Sequence, residues 1–502
     1  MDKQRFLKGG ILLSLVALLG RGVGLFYSSF LGEHVGAEGI GLFTLVMNVY
    51  AFAVTFCSAG VSLATTNLVA AAPEEDEGAR RRVLRTATTY ASALSFFATL
   101  ILLLLADALA VGVLHDARAA LSIRILSLSL PAIALSAAYQ GYFVGIRRVR
   151  NNAIVQIALQ GMKIALTVLL FSLYHSLSVE AAAAMLSFLS VVCDVTCVLL
   201  LSLLVGRRGD AMGRTPMASA FLSITLPVAL SAYVRQALLT LEHLLIPVRL
   251  MEYGNTRAEA LSQYGVLHGM ALPVLLFPMA ILTSFSGLLV PEFARAKAEG
   301  ARAFMTRIAE RALSVTLVFG IAIGALLYLF SEELGYLFYR SAEAGRYIGV
   351  LAVVVPLMYL DHVTDSVLKG MGEQVYSMWV NITDSLLSVL LVVILLPQFG
   401  ILGYAVVIIV MEGYNFLLSF LRLRTCIPVR VRLVRDGALP LLCAVVSAVL
   451  TRSLFSLNGT TAPTVFLLLA IVFCLCVFTF LLVVSRLLYS RRWERPLAPR
   501  LV

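Results

Sequence analysis

Eight ionisable side chains stand inside long apolar stretches of this chain: Arg21, Lys163, Asp194, Arg235, Glu242, Asp361, Asp384 and Glu412. A charge near mid-membrane costs about 2.5–3.5 kcal/mol on insertion scales, so eight facing lipid would cost roughly 20 kcal/mol or more. That exceeds a typical net folding stability. Such residues must pair with one another or face a hydrated cavity, and both arrangements belong to substrate and ion pathways.

Their neighbours form patterns. Asn152, Gln156, Gln160 and Lys163 fall within an arc of about 80° on one helix, a single polar stripe on an apolar rod. Asn381, Asp384, Ser385 and Ser388 make a comparable stripe, and residues 156, 160 and 163 map onto 381, 385 and 388 at a constant offset of 225. Two equivalent stripes suit two walls of one cavity, or else hydrogen-bonding glue between helices. Lys163 and Asp384 are expensive as glue and favour the walls. Asp361 and Asp365 lie one turn apart on a shared face, which suits a proton or sodium site, or a salt bridge to a base such as Arg235. His362 reads as a hydrogen-bonded interior histidine. Asp194 and Glu242-His243 remain open, and Arg124 suits an outer vestibule or an interfacial anchor equally. The candidate cavity set is therefore Arg21, Asn152, Gln156, Gln160, Lys163, Arg235, Glu242, Asn381, Asp384 and Glu412, with Asp361 and Asp365 as ion-coupling candidates. Arg21, Gln156, Lys163, Arg235 and Asp384 are expected to line one central cavity.

The elements that must carry these residues follow from composition. The 502 residues are 60% hydrophobic and 13% charged, half the charge of a soluble domain. That excludes a cytosolic enzyme, a disulfide scaffold and a disordered chain, and leaves an all-α polytopic membrane protein. Spans of about 20 apolar residues, read between turn and charge clusters, give fourteen helices. They fall near 9–31, 40–66, 86–106, 119–145, 152–174, 181–205, 218–247, 263–290, 308–331, 347–369, 376–396, 401–422, 437–455 and 464–486. In the thirteenth, Arg452 must reach outward to water. The basic N-terminus preceding an apolar run has the look of a signal peptide, but no small-residue cleavage site ends the run, so it is read as a retained first span.

The formal charge of +11 records orientation. With a cytoplasmic N-terminus, 28 of the 39 Lys and Arg fall on inner segments and six on outer ones: Arg118, Arg249, Arg257, Arg340, Arg346 and Arg452. This strict alternation places both termini in the cytoplasm and gives no reason to expect nucleic acid. Connections of about twenty residues at most leave no soluble domain for an active site, so no enzymatic activity is expected. Six of the seven cysteines lie in apolar runs without metal spacing, and no phosphate loop GxxxxGK[ST] occurs; neither metal nor cofactor is expected.

A duplication organises the chain. Pro131 precedes Gly145 by the same fourteen positions that separate Pro356 from Gly370, and Glu77-Gly-Ala-Arg80 recurs as Glu299-Gly-Ala-Arg302. Arg21 follows Phe6-Leu7 much as Arg235 follows Phe221-Leu222. Copies six helices apart share an orientation, so their axis would run along the membrane normal. The expected domains are two six-helix lobes, 1–210 and 211–430, with residues 431–502 adding two helices and a basic tail.

The opening Phe6-Leu7-Lys8-Gly9, Arg21 in the first span, the turn from Gly32 to Gly41 and the 6+6+2 plan resemble one superfamily. It is the multidrug/oligosaccharidyl-lipid/polysaccharide (MOP) exporters, in the branch of stage V sporulation protein B and polysaccharide-biosynthesis flippases, related to lipid II flippases. The resemblance implies alternating access for an undecaprenyl-pyrophosphate-linked saccharide, a peptidoglycan precursor or polysaccharide unit. It also implies a helix-1 arginine, matched by Arg21, that receives the pyrophosphate. The last two helices would help form a groove for the polyprenyl tail. Partners would be that lipid-linked saccharide, membrane lipids, H+ or Na+ coupling or the membrane potential, and cell-wall synthases, at the cytoplasmic membrane. The mid-span charges depart from a purely cationic cavity, with three bases against five acids. That keeps open a cation-coupled multidrug antiporter of the same fold. A non-transporting cell-wall assembly partner is a further alternative.

Overall fold

The computed structural model describes residues 3–73, 76–174, 178–205, 217–430, 432–455 and 464–493, with side chains left undescribed at 3–19, 149, 217, 433, 464 and 488–493. The expected lobe boundary at 210–211, the basic loop Arg207–Arg214, Arg495, Arg500 and the side chains of Phe6-Leu7-Lys8 therefore lie outside the described residues.

Those residues are predominantly helical and contain no strand. The chain runs α1 Lys3–Ser58, α2 Val61–Ala71, α3 Glu77–Ala108, α4 Ala119–Ser127, α5 Leu130–Gly145, α6 Val149–Leu173, α7 Val179–Val205, α8 Met217–Glu252 and α9 Arg257–Gly265. It continues with α10 Leu272–Leu276, α11 Met279–Ala298, α12 Arg302–Leu329, α13 Ser331–Tyr339, α14 Ala342–Ala352, α15 Val355–Gly370, α16 Gln374–Cys426, α17 Leu439–Leu454 and α18 Thr464–Trp493. Large apolar side chains point outward, as Phe96, Leu104, Leu203 and Leu442 do, while alanine and glycine fill the contacts between helices. Lipid is as apolar as leucine, so helices associate where small residues let them approach.

Nine of the described helices are long and apolar enough to cross a membrane, or twelve if each of three bent pairs is one span. The fourteen expected from sequence exceed both figures, and the difference lies in the two longest helices. The 56 residues of α1 would reach about 84 Å at 1.5 Å per residue, far beyond a hydrocarbon core of about 30 Å. Gly36, with φ 74° and ψ 169°, bends α1, and Gly400, with φ 59° and ψ −146°, bends the 53-residue α16. Glycine alone adopts this backbone region cheaply. Each long helix thus covers two of the expected spans.

Conversely, three expected single spans are broken. α4 and α5 bend by 43°, α9–α10 and α11 by 59°, and α14 and α15 by 59°. Pro131 and Pro356 stand in the first turn after two of these breaks. A proline there donates no backbone N–H, so the preceding helix ends and a new one starts at an angle.

The helices form two compact units. One comprises Met1–Glu33, Val266–Leu391 and Gln398–Val502; the other comprises His34–Gly265 with Val392–Pro397. We call them the C-unit and the N-unit. The stretch to Glu33 thus belongs with the C-terminal helices, and α8 belongs with the N-terminal ones. The duplication reappears inside them. In the N-unit Gly145 packs against Thr66 and Val69; in the C-unit Gly370 packs against Val290 and Phe293, each partner displaced by 224. Gly41 and Gly265, also 224 apart, lie backbone against backbone: a Cβ on Gly41 would strike the Leu261 carbonyl, and one on Gly265 the Ala37 carbonyl.

Candidate functional site

In the N-unit, α5, α6 and α7 enclose a cavity of about 350 Å³. The polar stripe of α6 supplies Gln156, Gln160 and Lys163; α5 supplies Ser136 and Gln140; α7 supplies Ser190, Cys193 and Asp194. Asn152, expected in the same stripe, is not among the lining residues. Asp194 faces the Lys163 ammonium within electrostatic reach. It also accepts a 3.3 Å hydrogen bond from the Tyr50 hydroxyl, which is itself hydrogen-bonded to Ser129. The cavity can hold small polar groups beside one cation and one carboxylate.

Elsewhere in the N-unit, Arg235 is exposed, whereas Glu242 is 8% exposed. Glu242 sits in a polar knot around Tyr264, whose hydroxyl meets His243 Nδ1 at 3.0 Å and accepts from Asn48 at 3.1 Å. Thr240 donates to the Asn48 carbonyl at 3.2 Å. Neither Arg235 nor Glu242 lines the 350 Å³ cavity.

The C-unit carries acid at the corresponding helices. Asp361, Asp384 and Glu412 feel one another's charge. Ser419 donates to Asp361 at 3.3 Å. Asp365 is paired with Lys369 at 2.5 Å, so of the two ion-coupling candidates it is the neutralised one. Arg21 acts electrostatically on His362 from the same unit. Asn381 donates to the Ser377 carbonyl at 2.7 Å and Ser385 to the Asn381 carbonyl at 2.9 Å, which returns both side chains to their own helix. No three His, Cys, Asp or Glu among the described residues converge as metal ligands do.

Outside the membrane-spanning segments, the N-unit holds an ion cluster that sequence reading passed over. Arg118 bonds Asp116 at 2.9 Å and Glu38 at 2.8 Å, and Arg257 reaches Asp116 at 3.3 Å. Burial alone would push the Asp116 carboxyl up, but its hydrogen bonds to Arg118, with the charge of Arg118 and Arg257, hold it below the ordinary carboxylate range. Tyr50, Ser129, Ser136 and Ser419 were also not singled out. The offset of 225 could have found two of them, since Ser136 maps onto Asp361 and Asp194 onto Ser419.

The comparisons agree with this architecture. Residues 6–297 match the family described as polysaccharide biosynthesis protein, and residues 236–394 match the MatE family. Stage V sporulation protein B of Bacillus subtilis (strain 168) is 25% identical over 422 residues, 82% of each chain. Among solved structures, the lipid II flippase MurJ in an inward closed conformation is similar with a TM-score of 0.73 and 14% identity, over 97% of this chain and all of that one. An inward-facing multidrug resistance MATE family transporter gives a TM-score of 0.65 at 17% identity, over 84% of this chain and 98% of its own. These two likenesses establish the fold. With more than half its length matched by one family, the chain belongs to the polysaccharide biosynthesis protein family.

Proposed function

We propose that the protein moves a lipid-linked saccharide across the cytoplasmic membrane by alternating access, with both termini in the cytoplasm. The substrate class is an undecaprenyl-pyrophosphate-linked peptidoglycan precursor or polysaccharide unit. The observation that carries this reading is a set of three intramembrane cations, Arg21, Lys163 and Arg235, in a chain of the polysaccharide biosynthesis family. Arginine and lysine bind phosphate oxygens through charge-assisted hydrogen bonds that strengthen out of water. In this reading Lys163 binds a phosphate oxygen of the substrate in the N-unit cavity, where Gln156 and Gln160 meet saccharide hydroxyls, and Arg21 and Arg235 each add a cation that transport requires. Asp361, Asp384 and Glu412 take the coupling cation.

A reconstituted flipping assay with a panel of lipid-linked saccharides tests it. Arg21→Ala and Arg235→Ala are expected to abolish flipping while the protein still inserts. Transport at the wild-type rate in both variants would sink the assignment.

The acidic group of Asp361, Asp384 and Glu412 favours a second reading, a cation-coupled multidrug antiporter, as does the MatE match over 236–394. Ethidium efflux that requires Asp361, with no lipid-linked saccharide moved, would select it.

A further inference from the structure

A third cavity, of about 700 Å³, opens in the C-unit between α12, α14 and α17. Its long wall is one face of α17, with Leu441, Val445, Ala448 and Val449 in helical register, and it ends at Arg452. Arg346 of α14 and Glu332 of α13 line the same cavity. It is separate from the apolar groove between α12 and α18 that contains Phe319, Ile323 and Phe478.

Charge accounting singles this cavity out. Four of the six bases expected on the outer side hold carboxylates: Arg118 holds Glu38 and Asp116, Arg257 holds Asp116, Arg249 holds Glu252 and Arg340 holds Glu33. Arg346 and Arg452 form no ion pair among the described residues. Arg452 donates to the Leu329 backbone carbonyl at 3.1 Å. Both remaining cations thus come to one cavity from different helices, and Glu332 offsets only one of them. Basic residues are scarce on the outer face of such proteins, so two beside one apolar channel with a single carboxylate leave a net positive site suited to an anion.

The dimensions say which. From Arg452 to Leu441 is eleven residues, about 16 Å along the helix, close to half of a hydrocarbon core of about 30 Å. An acyl chain laid along this face would start at the headgroup level and end near mid-membrane. We propose that this cavity binds an anionic glycerophospholipid of the outer leaflet, its phosphate held between Arg346 and Arg452 and one acyl chain against Leu441, Val445 and Val449. Arginine favours the two-oxygen geometry of a phosphodiester. Only the choice of leaflet rests on the proposed orientation, and binding does not depend on what the protein transports.

The test uses the delipidated full-length protein, titrated with phosphatidylglycerol or phosphatidylcholine and read by native mass spectrometry and thermal unfolding. Expected are one tightly held phosphatidylglycerol per chain, a higher unfolding temperature with that lipid, and no displacement by excess inorganic phosphate. R346Q/R452Q should weaken phosphatidylglycerol binding at least about tenfold and leave phosphatidylcholine unaffected. Because Arg452 also braces Leu329, Val445→Trp provides a second arm: it fills the channel, keeps both arginines, and should lose the lipid while unfolding at the unliganded temperature. Equal affinity for the two lipids, full binding in R346Q/R452Q, or displacement by inorganic phosphate would each overturn the site.

Discussion

Ser419 donates a 3.3 Å hydrogen bond to Asp361, and the positions 225 residues earlier hold the same two residue types with the roles exchanged, Asp194 and Ser136. Both members of the earlier pair line the N-unit cavity. Each repeat therefore keeps one carboxylate and one hydroxyl at this pair of positions, with the acid on opposite helices. The surroundings differ. In the N-unit the acid has Lys163 in reach; the equivalent of Lys163 is Ser388, and in the C-unit Asp384 and Glu412 add negative charge instead. A mobile cation is expected where acids outnumber bases, since Lys369, which also acts on Asp361, is already paired with Asp365.

Asp361→Asn should then lower transport at least about tenfold, some 1.4 kcal/mol, and flatten its dependence on sodium or proton gradients. The exchanged double variant Asp361→Ser/Ser419→Asp restores one carboxylate to the pair, in the arrangement of the N-unit. It should recover gradient dependence that Asp361→Asn lacks. Gradient-driven flux in proteoliposomes reads both, and an unchanged gradient response in Asp361→Asn would remove Asp361 from the coupling role.

Lys163 has two possible duties, to neutralise Asp194 and to bind a phosphate headgroup, and a double variant separates them. A lysine present only as counter-ion becomes dispensable once its carboxylate is gone. Lys163→Gln/Asp194→Asn would then work as well as the wild type. The headgroup role predicts instead that Lys163→Gln loses substrate binding about tenfold or more and that Asp194→Asn does not restore it. Substrate affinity in detergent, measured beside transport, distinguishes the outcomes.

The sequence showed the elements more clearly than their joints. Hydropathy located the apolar stretches because lipid contact demands them, and the repeat spacing matched Gly145 to Gly370, whose packing partners are equivalent in the structure. The joints escaped because a glycine or proline in an apolar run leaves the hydropathy profile unbroken: residues 119–145 and 347–369 read as single spans, although each bends behind Pro131 or Pro356. Gly36 and Gly400 lay in or beside expected turns, yet the helix resumes past each of them. At the site, costly charges stood out and cheap hydroxyls did not. Lys163 and Asp194 could be picked by price alone, whereas Tyr50, Ser129 and Ser419 acquire meaning only from the carboxylates they touch. Asp116 was invisible for a related reason, since an acid in a polar loop costs nothing until the fold buries it between two arginines.

The Gly41–Gly265 contact gives a stability prediction. Each glycine's missing Cβ is the space the other helix's carbonyl fills, and overpacking such a contact typically costs about 1–3 kcal/mol. Gly41→Leu and Gly265→Leu should each lower the unfolding temperature in detergent. Together they should cost less than the sum, because the first already separates the helices. Gly20→Leu, where a Cβ meets nothing, is the control and should leave the temperature unchanged.

Asp116 gives a pH prediction whose sign is fixed by its partners. Its carboxyl titrates below the ordinary carboxylate range in the folded protein, whereas in the unfolded chain it returns to about 4. A depressed folded pKa contributes stability that is fully present above the unfolded value and is lost as pH falls through the folded one. Asp116→Asn removes that contribution at neutral pH, costing about 1–3 kcal/mol because Arg118 and Arg257 lose a charged acceptor. In acid the aspartate of the wild type is itself neutral, so the two proteins should converge. The difference in unfolding temperature between wild type and Asp116→Asn is therefore expected to be constant from pH 8 to about 5 and to shrink below about 4. A difference that stays constant, or grows, on acidification would show that the cluster around Asp116 does not hold this corner of the N-unit by charge.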